Sequence, residues 1–175
     1  IMLSEPMTLY KLMNLYMLKR VNFPLTNSQL TDFFLAHEYA TYFTLQQALN
    51  ELAESSLISV QSNHNTTRYE ITREGEDTLD FFGKNIPPAI VADMDQYLKE
   101  NRLRMRDQAG VMTNYYKSTN QDYIVHCELR EGKIVLLDLS LSVPDRDQAE
   151  AMCSHWEKKS QDIYSYVMKT LMDDT

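Results

Sequence analysis

The stretch from Thr44 to Thr78 constrains the fold of this chain more than any other part. It begins with a segment whose apolar residues recur at helical spacing. Two short runs rich in β-branched residues follow, Leu57–Gln61 and Arg68–Ile71, and a polar tip joins them. Thr72 then stands where it can cap another helix. This order predicts a helix-turn-helix that carries a β-hairpin wing.

Two further helices are predicted ahead of this stretch. Met7–Leu18 is apolar around most of its circumference, which is typical of a helix buried on more than one side. It is either a central core helix or one that also forms a dimer contact. After a proline break, Thr26 or Asn27 caps a second helix. The sequence assigns His37–Phe43 to the turn and makes Thr44 the N-cap of the third helix.

The third predicted helix has an apolar stripe and a polar outer face. Gln46, Gln47 and Asn50 lie in its first two turns, where a recognition helix contacts base edges in the major groove. Glutamine and asparagine side chains can form two hydrogen bonds with adenine. An ordinary solvated helix face is the alternative. Glu51 and Glu54 oppose a close approach to phosphates.

The wing and the start of the third helix supply the remaining candidate contacts with DNA. Tyr42, Thr44, Arg68 and the wing tip are expected to contact the DNA backbone. The tip carries amide, hydroxyl and imidazole groups, so its electrostatic contribution is modest. For His64 the alternative is a solvated turn residue. The predicted DNA-contacting residues are Tyr42, Thr44, Gln46, Gln47, Asn50, Asn63, His64, Asn65 and Arg68.

The charge of the chain opposes easy DNA binding. The net charge is −8, and residues 1–85 carry six basic and ten acidic side chains, against eleven and fifteen in the remainder. Nucleic-acid binders usually present a basic face. The densest basic cluster is Arg102, Arg104 and Arg106, whose side chains would share one side of an extended segment. A surface of solvated salt bridges is the alternative for this cluster.

The C-terminal half predicts a helix, three strands and a second, longer helix. The first helix runs from Pro88 to about Asn101, and the last from Pro144-Asp145 to about Met172. Turns at Asn120–Asp122 and Glu131-Gly132 are short enough for an antiparallel meander. The strand-like runs are Gly110–Ser118, Tyr123–Arg130 and Lys133–Val143. Such a unit either forms a dimer contact or binds a small-molecule or protein effector.

Motifs for catalysis and for metal binding are not found in the sequence. It has no phosphate-binding glycine loop, no Cys-x-x-Cys and no His-Glu-x-x-His helix. His126 and Cys127 would point to opposite sides of a strand, and Cys153 and His155 would lie about 200° apart on a helix. We expect no enzyme activity, no cofactor and no metal site.

The expected location is the cytoplasm. The chain has only two cysteines, which fits a reducing compartment better than a disulfide scaffold. We find no signal peptide, and no apolar run approaches the roughly 20 residues that are needed to span a bilayer. We therefore expect no membrane contact.

Several segments resemble known bacterial proteins. YEITREGEDTL (Tyr69–Leu79) resembles the strand-to-helix junction of winged-helix regulators of the PadR and MarR types. A closer resemblance covers nearly the whole chain and is to an uncharacterised bacterial family, a domain of unknown function related to PadR-type regulators. That resemblance implies a winged-helix fold. PadR-type proteins dimerise through a C-terminal helix, but here a β-rich segment precedes that helix, so no dimer geometry is implied. The segments that carry it are LYKLMNLYML, FPLTNSQL, YFTLQQALNEL, LISV, YLKENR, YYKSTN and LSLSVP.

Together these observations predict an α+β chain of two domains. Residues 1–85 would form the winged helix-turn-helix, and residues 86–175 a helix, a three-stranded antiparallel meander and a long C-terminal helix. The expected function is that of a DNA-binding transcriptional regulator acting as a homodimer. Helix 44–55 would enter the major groove of double-stranded DNA, and hairpin 57–71 would contact its backbone. The alternative, favoured by the acidic charge, is a winged-helix protein-interaction module that does not bind DNA.

Overall fold

The structure, a computed structural model, describes residues 6–64 and 66–174. This part of the chain is mixed α/β, with six α-helices and two three-stranded antiparallel sheets. In chain order the elements are α1 (Pro6–Val21), β1 (Leu25–Thr26), α2 (Asn27–Ala36), α3 (Tyr42–Glu54), β2 (Ile58–Asn63), β3 (Thr66–Ile71), α4 (Arg73–Phe82), a 3-10 turn (Gly83–Asn85), α5 (Pro88–Ala109), β4 (Val111–Lys117), β5 (Tyr123–Glu131), β6 (Ile134–Val143) and α6 (Arg146–Met172). None of these helices is both long enough and apolar enough to cross a membrane.

The chain divides into two compact units. One contains the described residues up to Ser62 together with Thr66–Met105. The other contains Asn63, His64 and the described residues from Arg106 onward. The predicted domain boundary between residues 85 and 86 remains a prediction. Helix α5 continues eight residues past the predicted end at Asn101, to Ala109.

Helix α1 is the central element of the first core. Met13, Leu15, Met17 and Leu18 are almost completely buried, and the helix packs against α3, α4 and β3. Neighbours on several sides explain why α1 is apolar around most of its circumference. Helix α1 is therefore a core helix, and whether it also forms a dimer contact stays a prediction.

Two capping boxes set the starts of α2 and α3. Thr26 is the N-cap of α2, one of the two residues that the sequence offered. The prediction that Thr44 caps α3 is wrong, because Thr41 is the N-cap and the helix begins at Tyr42. The Thr41 hydroxyl accepts a hydrogen bond from the Thr44 amide (3.2 Å), and the Thr44 hydroxyl accepts one from the Thr41 amide (3.1 Å). This reciprocal pair satisfies two amides that a helix start leaves unpaired.

The first sheet has the strand order β1-β3-β2. Its short strand β1 pairs antiparallel with β3, with Leu25 opposite Tyr69 and Thr26 opposite Arg68. At the end of β3, Thr72 caps α4, as predicted, by accepting a hydrogen bond from the Gly75 amide (3.1 Å). The Thr72 hydroxyl also donates to the Ser56 carbonyl (2.7 Å), which ties α4 to the chain that leaves α3.

The second unit is one sheet covered by α6. Strands β4, β5 and β6 form the predicted antiparallel meander. On one face of β5, alternate residues Val125, Cys127 and Leu129 are buried, and Cys153 and Trp156 of α6 lie in the same core. A register shift between Leu129 and Arg130 marks a β-bulge in the β5–β6 pairing.

The side chains of the predicted arginine cluster do not all point to one side. Arg102 and Arg104 lie within α5, so their side chains leave the helix about 200° apart, because helical rather than extended spacing applies. Arg102 donates to the carbonyls of Arg20 and Val21, each at 2.9 Å, at the C-terminal end of α1. Arg104 donates to Asn101 (2.8 Å). Arg102 therefore caps a helix instead of forming part of a basic patch.

Candidate nucleic-acid interface

Helix α3 buries one face and presents the other to solvent. The predicted stripe of Leu45, Ala48, Leu49 and Leu52 is completely buried. The exposed side chains, which we call the α3 outer face, are those of Tyr42, Phe43, Gln47, Asn50 and Glu54. This face carries two aromatic rings, two amides and one carboxylate.

Gln46 does not belong to the outer face, although the sequence placed it there. Its amide exchanges two hydrogen bonds with the amide of Asn27 at the start of α2, with N···O distances of 2.7 and 2.9 Å. Asn27 also donates to the Tyr69 hydroxyl (3.0 Å). Contact between Gln46 and a base would break this partly buried pair, and Asn27 would lose two of its hydrogen bonds, which is costly. Gln46 therefore positions α3 on α2 and β3.

Gln47 and Asn50 remain available on the outer face. Gln47 donates to Glu51 (3.0 Å) in an exposed pair four residues apart, an interaction worth only a few tenths of a kcal/mol. The Gln47 amide can exchange this contact for a base edge at little cost. Asn50 lies one turn further along the same helix and is exposed.

Lys11 reduces the negative charge beside this face. Its ammonium lies 2.7 Å from the Glu51 carboxylate. The hydrogen bonds from Lys11 and, secondly, from Gln47 hold the pKa of Glu51 below its usual range, so Glu51 is ionised but paired at neutral pH. Of the two carboxylates that the sequence set against DNA binding, Glu51 is therefore paired with a lysine, and Glu54 is exposed.

The first turn of α3 presents two aromatic side chains. Tyr42, a predicted contact, is 57% exposed, and Phe43 is 81% exposed. Thr44, also a predicted contact, uses its hydroxyl in the capping box and is half-buried. The sequence does not predict Phe43 as a contact, because it assigns residue 43 to the turn. With the helix starting at Tyr42, the spacing from Leu45 would have turned Phe43 outward.

The wing residues divide between the two units. Arg68 is only 4% exposed, so burial removes its guanidinium from the set of predicted backbone contacts. Asn63 and His64 are half-buried and belong to the second unit, whereas α3 belongs to the first. Asn65 lies outside the described residues. Of the predicted contacts, the structure thus groups Tyr42, Gln47 and Asn50 on one helix face.

The cysteines lie in the core of the second unit. Thr113 donates to the Cys153 sulfur (3.2 Å), and its hydroxyl lies 3.9 Å from the Cys127 sulfur. Burial raises the pKa of both thiols, so neither is an activated nucleophile. Across residues 6–64 and 66–174, no three His, Cys, Asp or Glu side chains stand close enough together to hold a metal ion.

The family of this chain follows from comparison with known proteins. A search of curated proteins and a search of solved structures each returned no match. One family model does match, and it spans residues 10–171, from the first turns of α1 to the last turn of α6. The match therefore includes elements of both compact units and most of the chain. This protein belongs to the family described as "Domain of unknown function (DUF4364)".

Proposed function

We propose that this protein is a DNA-binding transcriptional regulator of the cytoplasm that acts as a homodimer. The proposal assigns α2 and α3 to a helix-turn-helix and the β2–β3 hairpin to its wing, as in winged-helix regulators of the PadR type. The observation that carries it is the α3 outer face, where exposed amides follow the first turn of the helix. Recognition helices contact bases from this part of the helix.

In this proposal the residues of α3 have separate roles. Gln47 and Asn50 hydrogen-bond base edges in the major groove of double-stranded DNA. Tyr42 contacts a phosphate with its hydroxyl, and Phe43 makes apolar contact, for example with a thymine methyl group. Gln46 fixes the angle of the helix through its hydrogen bonds to Asn27. The specificity would come from amide and apolar contacts, because this face offers no cationic side chain.

The first test replaces one exposed glutamine on α3. We expect Gln47→Ala to weaken binding to a preferred genomic DNA fragment by about tenfold or more, since a bidentate amide–base pair contributes about 1–3 kcal/mol of discrimination. Fluorescence anisotropy with fragments selected from a genomic library measures the dissociation constant.

A matched control is available on α5. Gln96 is exposed and donates to Glu100 four residues later, as Gln47 does to Glu51 on α3. Gln96→Ala removes the same side chain from the same kind of helical pair and should leave DNA affinity unchanged within about twofold. Equal effects of Gln47→Ala and Gln96→Ala would refute base contact by Gln47.

A second candidate function rests on the aromatic residues of the same face. Exposed aromatic side chains are enriched in protein–protein contacts, and Phe43 and Tyr42 stand together on an acidic chain. As a protein-interaction module, the protein would bind no DNA fragment at low salt. Phe43→Ala would then abolish capture of a protein partner by the full chain, while Gln47→Ala would leave it intact.

The second unit has its own proposed role. It would form the homodimer or bind a small-molecule or protein effector that changes DNA affinity. This role is supported by a separate core and by surface-exposed apolar residues in β6 and α6.

A further inference from the structure

Strand β6 is an unprotected edge of the second sheet. It ends the strand order β4-β5-β6, so the backbone groups on its outer side have no strand beside them among the described residues. Edge strands are templates for pairing with another chain, and proteins usually block them with lysine, proline, a covering helix or short length. Strand β6 is ten residues long.

The composition of β6 favours pairing instead of blocking it. Its sequence IVLLDLSLSV holds seven aliphatic residues and no lysine, arginine or proline. Asp138 carries its only charge, and His126 on β5 contacts that carboxylate at 2.6 Å. Ile134, Val135 and Leu141 are 65%, 45% and 40% exposed. By contrast, the edge strand β2 reads ISVQSN, and the edge strand β4 ends in a lysine.

The core of the second unit is also incompletely covered beside β6. Helix α6 lies mainly over β4 and β5, and a groove of about 170 Å³ remains between α6 and β6. Leu139 and Leu141 line it from the strand, and Met152, Trp156 and Ile163 line it from the helix. A strand added to the edge would place its own inward side chains at the mouth of this groove.

We propose that β6 pairs antiparallel with β6 of a second copy of this chain, which joins the two sheets into one of six strands. The sequence of the strand is suited to pairing with itself. Leu137, Leu139 and Leu141 lie on the core-facing side, because they are opposite the buried residues Leu129, Cys127 and Val125. If the two-fold axis of the dimer passes through the pair at Leu139, Leu137 lies opposite Leu141 of the partner subunit.

The polar face of β6 is also compatible with a two-fold axis at Leu139. Asp138 then lies opposite Ser140 of the partner subunit, so no two carboxylates face each other across the pair. Like charges directly opposite would destabilise it. This inference names the dimer contact and does not depend on whether α3 binds DNA.

The test places charges on the exposed edge of the full chain. We expect Val135→Lys with Leu141→Lys to raise the dimer dissociation constant at least about tenfold, the equivalent of 1.4 kcal/mol, because two lysines would be buried at the contact in each copy. Sedimentation equilibrium over a micromolar concentration series measures the constant. The control is Val60→Lys with Leu103→Lys, which charges two exposed apolar residues in β2 and α5 and should leave the constant unchanged.

Other results would contradict pairing through β6. A wild-type chain that is monomeric at micromolar concentration overturns the proposal, and so does a β6 variant that dimerises as tightly as the wild type. The rival contact is the end of α6, where Leu171 and Met172 are exposed. Loss of the dimer in Leu171→Lys with Met172→Lys, but not in the β6 variant, would assign it there.

Hydrogen exchange on the wild-type chain gives a second readout, which holds even where a β6 variant fails to fold. The backbone amides of β6 should exchange more slowly at high than at low protein concentration. Strand β4, the other edge of the same sheet, should show no such dependence. Concentration-dependent protection in β4 or α6, with none in β6, contradicts the proposal.

Discussion

Single residues fix the junctions on which the α3 surface depends. Gly75 is the clearest case, since a Cβ atom there would lie 2.1 Å from the Leu57 carbonyl oxygen. Leu57 follows α3 and its carbonyl accepts a hydrogen bond from Thr72 (3.1 Å). Only glycine lets α4 approach this backbone so closely. Gln46 and Asn27 hold the other end of α3 through their paired amides.

We expect Gly75→Ala to lower the free energy of unfolding by about 2–3 kcal/mol, because the new methyl group forces α4 away from the Leu57 carbonyl. Urea unfolding followed by circular dichroism measures the change. Gly83→Ala is the control, since its Cβ would contact only the Leu79 side chain, at 3.4 Å. With helical φ and ψ at Gly83, that substitution should be neutral or stabilising by up to about 1 kcal/mol. Equal destabilisation by both substitutions would contradict this account.

At the scale of elements, two tyrosine–aspartate pairs fasten α5 to the rest of the first unit. The Tyr16 hydroxyl of α1 donates to Asp95 (2.6 Å), and the Tyr39 hydroxyl, in the turn before α3, donates to Asp93. Burial, followed by the hydrogen bond to the carboxylate, raises the pKa of each tyrosine from 10.0 to about 12. Both hydroxyls must therefore be protonated for α5 to remain attached in this way.

These pairs make stability depend on alkaline pH. Because the folded state holds the two protons more tightly than the unfolded chain, the stabilisation is complete below pH 10 and is lost as the pH rises towards 12. We expect the wild type to lose more stability between pH 10 and 12 than Tyr16→Phe with Tyr39→Phe does. Urea unfolding at each pH compares them, and Tyr166→Phe, at an exposed site, is the control. Parallel losses in all three proteins would rule out this role of the hydroxyls.

Periodicity and turn residues were sufficient to predict most elements. The buried stripe of α3, the Thr72 cap and the β4–β6 meander are where the sequence placed them. The misplaced start of α3 has a local cause, because two threonines three apart can each cap a helix and only their mutual hydrogen bonds select Thr41.

The site residues were harder to predict, because their availability depends on distant neighbours. Asn27, nineteen positions earlier, occupies the Gln46 amide with hydrogen bonds. Burial in a paired strand makes Arg68 inaccessible at the surface. Lys11, forty positions earlier, forms an ion pair with Glu51 and so offsets its negative charge. Spacing along one helix contains none of this information, so it predicts neither the hydrogen bonds of Gln46 nor the ion pair of Glu51.

For the molecule as a whole, the negative charge of the chain would oppose binding to DNA. The net charge is −8, and the α3 outer face offers amides and aromatic rings in place of cations. Few phosphates would then be neutralised, and little of the affinity would come from counterion release. A dimer formed through β6 would present two such faces and compensate for weak binding by each.

The salt dependence of DNA binding by the wild-type chain shows whether α3 recognises DNA through amide contacts instead of phosphate contacts. Anisotropy titrations with a selected genomic fragment at 50 to 200 mM salt should give sequence-dependent binding whose affinity falls by about tenfold or less. A binder with many phosphate contacts would lose about 10³–10⁵ over that range. Binding that discriminates between fragments with a shallow slope is the predicted result. Absence of binding to every fragment at 50 mM salt, or equal binding to all of them with a steep slope, would refute DNA recognition by the amides of α3.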